Sequence, residues 1–478
     1  MGVKAWKVDE SGAPSFPEDF EIARRAVLQV TDIRNNNNKY YAIEMHSASA
    51  KGKPTFRVFT HYGRTDDLET NPNAGQKECR FFSSIEEAHA EYDKIYRAKT
   101  SKAKGYKEVA LASSKIGSSK ARGESAGEVD DKTLEKLKAK NGAPVERRKS
   151  DLDPTLQELV KYVFAEATKA LTSTVAATIT AHGIETPLGV LTVGQIEKGE
   201  QILQDIHGVV QGKRPARARL EQLSGEFYTA VPHRIGRTRD AIAQAVIADL
   251  SQISQKQETL QLMKDMLAVN GEGGSVLFDD QVDQQYKALG AELRTVDPSS
   301  PMWRECAAYV EKSQVKRKDV KVVNVYQVKR SGEWDAFDAA VGNERMLFHG
   351  SRIQNWVGLL SRGILLPKIV VSMGVNRTDA GWLGNGIYFG DAACTAAFYT
   401  TPGKRKTRLL AIARVGLGKI KDYTKITYGL EGPPAGYDST HGVRRTAQNP
   451  SQFDDDEYVI YRQNQQRMEM LVEFQTAS

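Results

Sequence analysis

The run Leu347-Phe348-His349-Gly350-Ser351-Arg352 decides how the C-terminal part of this chain is read. An apolar segment ends on an imidazole, a residue with no side chain and a hydroxyl, the pattern of a strand end that a ligand could approach closely. Further strands are predicted over 322–328, 408–415, 457–461 and 470–474, each short, apolar and bounded by Gly, Pro and Asn. Regular alternation of strand and helix is missing, so the region from about 279 onward is α+β rather than a parallel doubly wound sheet.

Upstream of it the pattern changes. Leu156, Leu159, Val160, Val163, Phe164, Ala167 and Leu171 recur at helical spacing, and Asp151 or Asp153 with Pro154 marks a helix start. Further helices are predicted over 192–210, 216–230 and 238–268, and no strand pattern intervenes, so 151–278 is expected to be all-α. The first 112 residues alternate with period two instead, as in Phe56-Arg57-Val58-Phe59-Thr60-His61-Tyr62 and Tyr40-Tyr41-Ala42-Ile43-Glu44-Met45. A helix over 84–96 follows, capped by Ser83 or Ser84 with Glu86 or Glu87. Residues 113–150 are rich in Ser, Gly, Ala and Lys without an aromatic, and are expected to be a flexible basic linker. The fold class is thus multidomain α+β. A small β-rich module (1–112) and the linker (113–150) precede an all-α domain (151–278) and a mixed α+β domain (279–478).

The 478 residues suit roughly two to four domains. A run of about 18 apolar residues is absent, which excludes a transmembrane helix, and the first residues lack the apolar core of a secretory signal. Three cysteines without a C-x-x-C pair argue against a disulfide framework or a cysteine-rich zinc module and fit a reducing compartment. The net charge is +7, and residues 99–149, with 14 basic and 7 acidic side chains, carry that surplus by themselves. Such a stretch is either an electrostatic footprint for nucleic acid or another polyanion, or a solvated linker.

P-loop, dinucleotide-fingerprint and H-E-x-x-H motifs are all missing. Two clusters stand beside His349-Gly350-Ser351 instead. In Gly384-Asn385-Gly386-Ile387-Tyr388-Phe389-Gly390-Asp391, followed by Tyr399, glycines allow close approach and aromatics offer flat faces to a planar ring. In Asp454-Asp455-Asp456-Glu457-Tyr458-Val459-Ile460-Tyr461 an acidic run enters an apolar strand, where a carboxylate could orient hydroxyls or stabilise an oxocarbenium-like centre.

In this order the three clusters resemble the His-Tyr-Glu signature of the DNA-dependent poly(ADP-ribose) polymerases. The matching positions are His349-Gly350-Ser351, Gly386-Ile387-Tyr388-Phe389 and Glu457-Tyr458. Pro187-Leu188-Gly189, Leu191-Thr192, Gln195-Ile196, Phe227-Tyr228-Thr229 and Val231-Pro232-His233 resemble the family's helical regulatory domain. Tyr62-Gly63-Arg64 resembles its WGR module with Tyr for Trp, and the build resembles the short members without zinc fingers.

The resemblance implies an enzyme that cleaves the nicotinamide–ribose bond of NAD+, its substrate, and transfers ADP-ribose to proteins, to itself and to a growing chain, with no metal. Gly350 would bind the carboxamide through its backbone, and Tyr388 and Tyr399 would stack on the ring. His349, with Ser351 nearby, would hold a ribose hydroxyl on the adenosine side, and Trp382 would stand in the nucleotide-side loop. Glu457 would bind the nicotinamide-ribose 2′-hydroxyl and orient the acceptor, and family members that retain this Glu generally elongate chains. Thr395 and Ala396 stand where the family commonly has Lys and Ser, and Leu365 where an adenosine-contacting Arg is frequent. Tyr62, Arg64 and Tyr106 would meet DNA with strand breaks, activating a monomer by displacing the helical domain from the NAD+ cleft. The setting would be DNA damage repair, in the nucleus of a eukaryote or the nucleoid of a bacterium. Two alternatives stay open: a mono-ADP-ribosyltransferase, and a silent scaffold that binds DNA ends.

Overall fold

The computed structural model describes residues 3–35, 37–50, 52–71, 73–123, 149–180, 183–212, 215–235, 238–272, 281–314, 318–366 and 381–476. The chain divides into two compact units, one formed by 1–144 with 171–263, the other by 145–170 with 264–478.

The first unit is built on a six-stranded antiparallel sheet, in the order Trp6–Lys7, Gln76–Phe82, Lys53–Arg64, Asn37–Ala50, Glu21–Asp32, Lys107–Glu108. Alternation sends Tyr41, Ile43, Met45, Phe56 and Val58 to one face, where Ala88 and Tyr92 of the helix Ile85–Thr100 cover them. The expected cap is present, with the Ser84 hydroxyl accepting from the Glu87 amide. The opposite face places Tyr40, Ala42, Glu44, His46, Phe59 and His61 under a segment that begins with the strand Leu111–Ser114.

That segment corrects the expected linker. Residues 113–122 are folded: Ile116 and Ala121 are buried, and Ser118 gives both its amide and its hydroxyl to the buried Glu44 carboxylate, at 2.8 and 2.6 Å. Arg57 donates to His46 Nδ1 at 2.8 Å, so the ring's Nε2 carries the proton and donates to Glu44 at 2.7 Å. Burial pulls the Glu44 carboxyl upward, but these bonds outweigh it and hold it below its ordinary value. A composition of Ser, Gly and Lys looked unable to fold because polar residues bury area only when a partner elsewhere satisfies them. Residues 124–148 of the expected linker lie outside the described residues.

The helical region also differs from the all-α expectation. Three three-residue strands, Thr178–Thr180, Gly183–Glu185 and Gly189–Leu191, form a small sheet with Leu111–Ser114. Strands of that length leave no period-two signal. The helices Val193–Val210 and Arg217–Ala230 match the sequence reading, while the run 238–268 is two helices, Arg239–Gln244 and Leu250–Glu272. Between them the Ile247 amide donates to Ser224 Oγ at 2.9 Å.

The second unit holds a nine-stranded sheet. Its order is Glu292–Thr295, Val320–Lys329, Gln466–Thr476, Arg408–Gly416, Glu344–Gly350, Ile387–Gly390, Glu457–Ile460, Ser439–Gly442, Ile420–Tyr423, and only the last pair is parallel. Almost every pairing is antiparallel, and the last strand, Gln466–Thr476, returns to sit between Val320–Lys329 and Arg408–Gly416, the layout of an α+β rather than a doubly wound domain. The helix Pro301–Ser313, capped by Ser300 and opened by Pro301, buries Cys306 and Val310 against Phe348, Ile412 and Phe474. The three signature clusters fall on three adjacent central strands.

Candidate active site

The strand Glu344–Gly350 ends beside the helix Ala393–Ala397, and a Cβ on Gly350 would lie 1.9 Å from the Ala396 carbonyl oxygen. Only glycine lets the strand end there. Next to it, His349 Nδ1 lies 3.0 Å from the Tyr388 carbonyl oxygen. A carbonyl only accepts, so Nδ1 carries the proton and Nε2 is left as an acceptor. Burial holds this imidazole below its ordinary value, keeping the ring neutral. Ser351 Oγ accepts from Asn355 at 3.1 Å.

Tyr388 lies on Ile387–Gly390, and its hydroxyl is fixed from both sides. It donates to the Gly384 carbonyl at 2.7 Å and accepts from the Leu383 amide at 2.9 Å. Gly384 has φ +82°, and a Cβ there would meet the Leu430 backbone at 2.0 Å. Trp382 packs edge-on against Phe453 at 5.9 Å and is only half-buried. Tyr399, just past the helix Ala393–Ala397, is 41% exposed.

Glu457 pairs with Gly390 across the sheet, so its side chain and that of Tyr388 share a face as diagonal neighbours. Among the described residues its carboxylate has no hydrogen-bond partner. Burial and then the nearby Asp455 push its carboxyl up to about 7. A half-buried acceptor with no internal partner is suited to bind a hydroxyl of an incoming ligand.

A charged network that the sequence reading missed surrounds it. Arg444 meets Asp391 at 2.8 Å, Asp455 at 3.6 Å and Asp456 at 3.7 Å. One guanidinium does not neutralise three carboxylates, and burial with Asp456 and Asp455 pushes Asp391 up to about 6 despite Arg444. His441 bridges Asp456 and Asp422 at 2.9 Å each and stacks on Tyr458 at 4.3 Å. Burial opposes its charge, but the two carboxylates raise it above its ordinary value. The available signal was the run Asp454-Asp455-Asp456-Glu457 itself, which needs cations from elsewhere in the chain. Thr395 joins this network, its hydroxyl donating to Asp455 at 2.7 Å, and at Ala396 there is no hydroxyl at all. Leu365 carries no charge and is half-buried at the end of the described segment that precedes 381.

Pieces of the helical region belong to this same unit. Tyr162 donates to the Thr407 carbonyl at 2.8 Å and accepts from the Gly403 amide at 3.0 Å, while Glu166 accepts from the Lys404 amide at 2.6 Å. These bonds clamp the loop that follows Tyr399. Asp265, buried, takes a two-pronged contact from Arg362 at 2.7 and 3.2 Å.

In the other unit Tyr62 stacks on Tyr41 at 5.1 Å, with Lys99 Nζ 3.9 Å above Tyr41 and 5.6 Å from Tyr62. The Tyr62 hydroxyl reaches Glu78 at 2.8 Å, and Arg64 meets Asp66 at 3.0 Å. Tyr106 is a core residue, 9% exposed and edge-on to Tyr41, and this removes it from the DNA-facing set. Its apolar neighbours lay outside the short motif from which it was singled out.

Comparison with known proteins gives three domain matches: WGR domain over 24–112, the poly(ADP-ribose) polymerase regulatory domain over 150–286, and the poly(ADP-ribose) polymerase catalytic domain over 302–476. Similar proteins include human protein mono-ADP-ribosyltransferase PARP4, 29% identical over 96% of this chain and 24% of its own length. Rice poly [ADP-ribose] polymerase 2-A is 26% identical over 91% of this chain and 64% of its own. Human poly [ADP-ribose] polymerase 2 is 26% identical over 94% and 79%. The chain thus spans about a quarter of human PARP4 and about two thirds of the rice protein. With its WGR, regulatory and catalytic domains in the family's order, the chain belongs to the poly(ADP-ribose) polymerases.

Proposed function

We propose that the chain is an NAD+ ADP-ribosyltransferase switched on by broken DNA, and that it builds poly(ADP-ribose) on proteins including itself. The observation that carries the reading is Glu457, half-buried, without a hydrogen-bond partner among the described residues, and sharing a sheet face with Tyr388. As the nicotinamide–ribose bond breaks, positive charge develops at the anomeric carbon. An ionised Glu457 bound to the ribose 2′-hydroxyl stabilises that charge and aligns the acceptor hydroxyl. His349 offers Nε2 to the adenosine-side ribose, Gly350 its backbone to the carboxamide, and Tyr388 and Tyr399 their faces to the ring. With Ala396 in the family's Ser position and Thr395 turned to Asp455, the carboxamide relies on Gly350 more heavily than in relatives that keep the Ser. Trp382 belongs to the wall on the nucleotide side.

DNA activation rests on the WGR match and on Tyr62, Arg64 and Lys99 standing together. The helical contacts of Tyr162, Glu166 and Asp265 within the catalytic unit support an inhibitory role for the region 150–286. The relatives include proteins named as polymerases and as mono-ADP-ribosyltransferases, and retention of Glu457 favours elongation here. The test is incorporation of adenylate-labelled NAD+ by the full chain, with and without nicked duplex, resolved on a gel. Long, nick-dependent products that vanish in Glu457→Gln are expected. Single additions would make it a mono-transferase, and no incorporation would leave the DNA-end scaffold.

A further inference from the structure

Strand alternation gives the N-terminal sheet a second surface with a character of its own. The pairs Arg57 with Phe81, Phe59 with Cys79 and His61 with Lys77 lie opposite one another across Lys53–Arg64 and Gln76–Phe82. They face away from Tyr62, which is one residue out of phase. On that face Arg57, Phe59, Lys77, Cys79 and Phe81 floor a cleft of about 340 Å³, walled by the N-terminal segment 7–16 and by 117–122. Lys7, Arg57, Lys77 and Arg122 line it, against Asp9 as the one carboxylate. Among the described residues none of these four cations is ion-paired. Arg57 is already placed, 4.4 Å over the Phe16 ring and bonded to His46, and Arg122 is held by Asn73 at 2.5 Å. Burial and the neighbouring Arg122 hold the Lys77 ammonium below its ordinary value. Four cations against a single carboxylate, beside the half-buried rings of Phe16 and Phe81, are complementary to a phosphate joined to a flat base.

We infer that this cleft is a nucleotide-phosphate site, taking the phosphate on Lys7, Lys77 and Arg122 and the base against Phe16 and Phe81. It is distinct from the Tyr62–Arg64 surface, being on the opposite face of the sheet, and from the NAD+ cleft, being in the other unit. The same chemistry is offered by a free nucleotide and by a strand end bearing a 5′-phosphate.

Isothermal titration of the full chain with adenosine 5′-monophosphate, joined to hydrogen exchange read by mass spectrometry, tests it. Protection is expected in 7–16, 77–81 and 117–122. The double variant Lys77→Gln/Arg122→Gln should weaken binding about tenfold or more, since each lost charge-assisted bond is substantial. Asp9→Asn removes the opposing charge at a position with φ +68°, which Asn tolerates, and should tighten binding, a gain that misfolding does not produce. No binding, protection confined to 302–476, or affinity unchanged in the double variant overturns the site. So does phosphotyrosine binding as well as the nucleotide. ADP-ribose and a short 5′-phosphorylated single strand distinguish the sources, and tighter binding of either supports the site.

Discussion

Glu457→Gln should give a protein that is less active and more stable. Glu457 rises from an ordinary 4.5 to about 7 in the folded chain, and that difference is worth about 3 kcal/mol. The folded carboxyl holds its proton more tightly than the unfolded one. Its contribution is therefore fully present below about pH 4.5 and is lost as the pH climbs through about 7. Gln keeps the shape and has no charge to lose. The variant's advantage should be nil near pH 4.5, grow through the window, and level off near 3 kcal/mol above pH 7. For a domain of this size that corresponds to roughly 6–12 °C in Tm.

Guanidinium unfolding followed by tryptophan emission reads the right unit, because Trp303, Trp334, Trp356 and Trp382 lie in it and only Trp6 in the other. The same ionisation should limit catalysis. The wild-type kcat/KM should fall with a one-proton slope below about pH 7 as Glu457 takes up its proton. A variant no more stable than wild type at pH 8, or an advantage that fails to close towards pH 4.5, refutes the assignment of a desolvated, ligand-facing carboxylate.

Asp455→Asn keeps an acceptor for Thr395 and removes the charge that lifts Glu457, so the acid limb of the pH profile should move to lower pH. Arg362→Ala takes the two-pronged partner from the buried Asp265 carboxylate and should destabilise the catalytic unit by about 3–5 kcal/mol in the same unfolding assay. Ser118→Ala takes a hydroxyl from buried Glu44, should lower the stability of the N-terminal unit by about 1–3 kcal/mol, and should expose 115–122 to limited proteolysis. Tyr62→Ala should weaken nicked-duplex binding about tenfold in fluorescence anisotropy with no change in the fold, since one stacked base is worth about 1–3 kcal/mol.

What the sequence made legible is what local chemistry controls. The strands 322–328 and 408–415 and the helices 192–210 and 216–230 were readable because apolar spacing alone specifies them. His349 and Tyr388 stood out through their neighbouring glycines and Glu457 through the acidic run that leads into its strand, and the sheet sets the three on adjacent strands. What stayed hidden depends on partners far apart in the chain. Ser118 folds a stretch that looked like linker because Glu44, two strands into the preceding module, needs its donors. Arg444 gives the acidic run its counter-charge across a hairpin, and Tyr162 closes the loop after Tyr399 through two backbone atoms that no side-chain pattern reports. Tyr106 misled for the converse reason, since a Tyr among lysines reads as a base-stacking residue until the sheet buries it. The two faces of one strand make the same point about function. Tyr62 stood out as a motif residue, whereas Arg57, Phe59 and His61 share its strand and look ordinary in sequence. Only pairing with Phe81, Cys79 and Lys77 turns that face into a basic, aromatic-floored cleft. A binding surface assembled by register is therefore the class of site most easily overlooked in this chain, and the nucleotide titration addresses it directly.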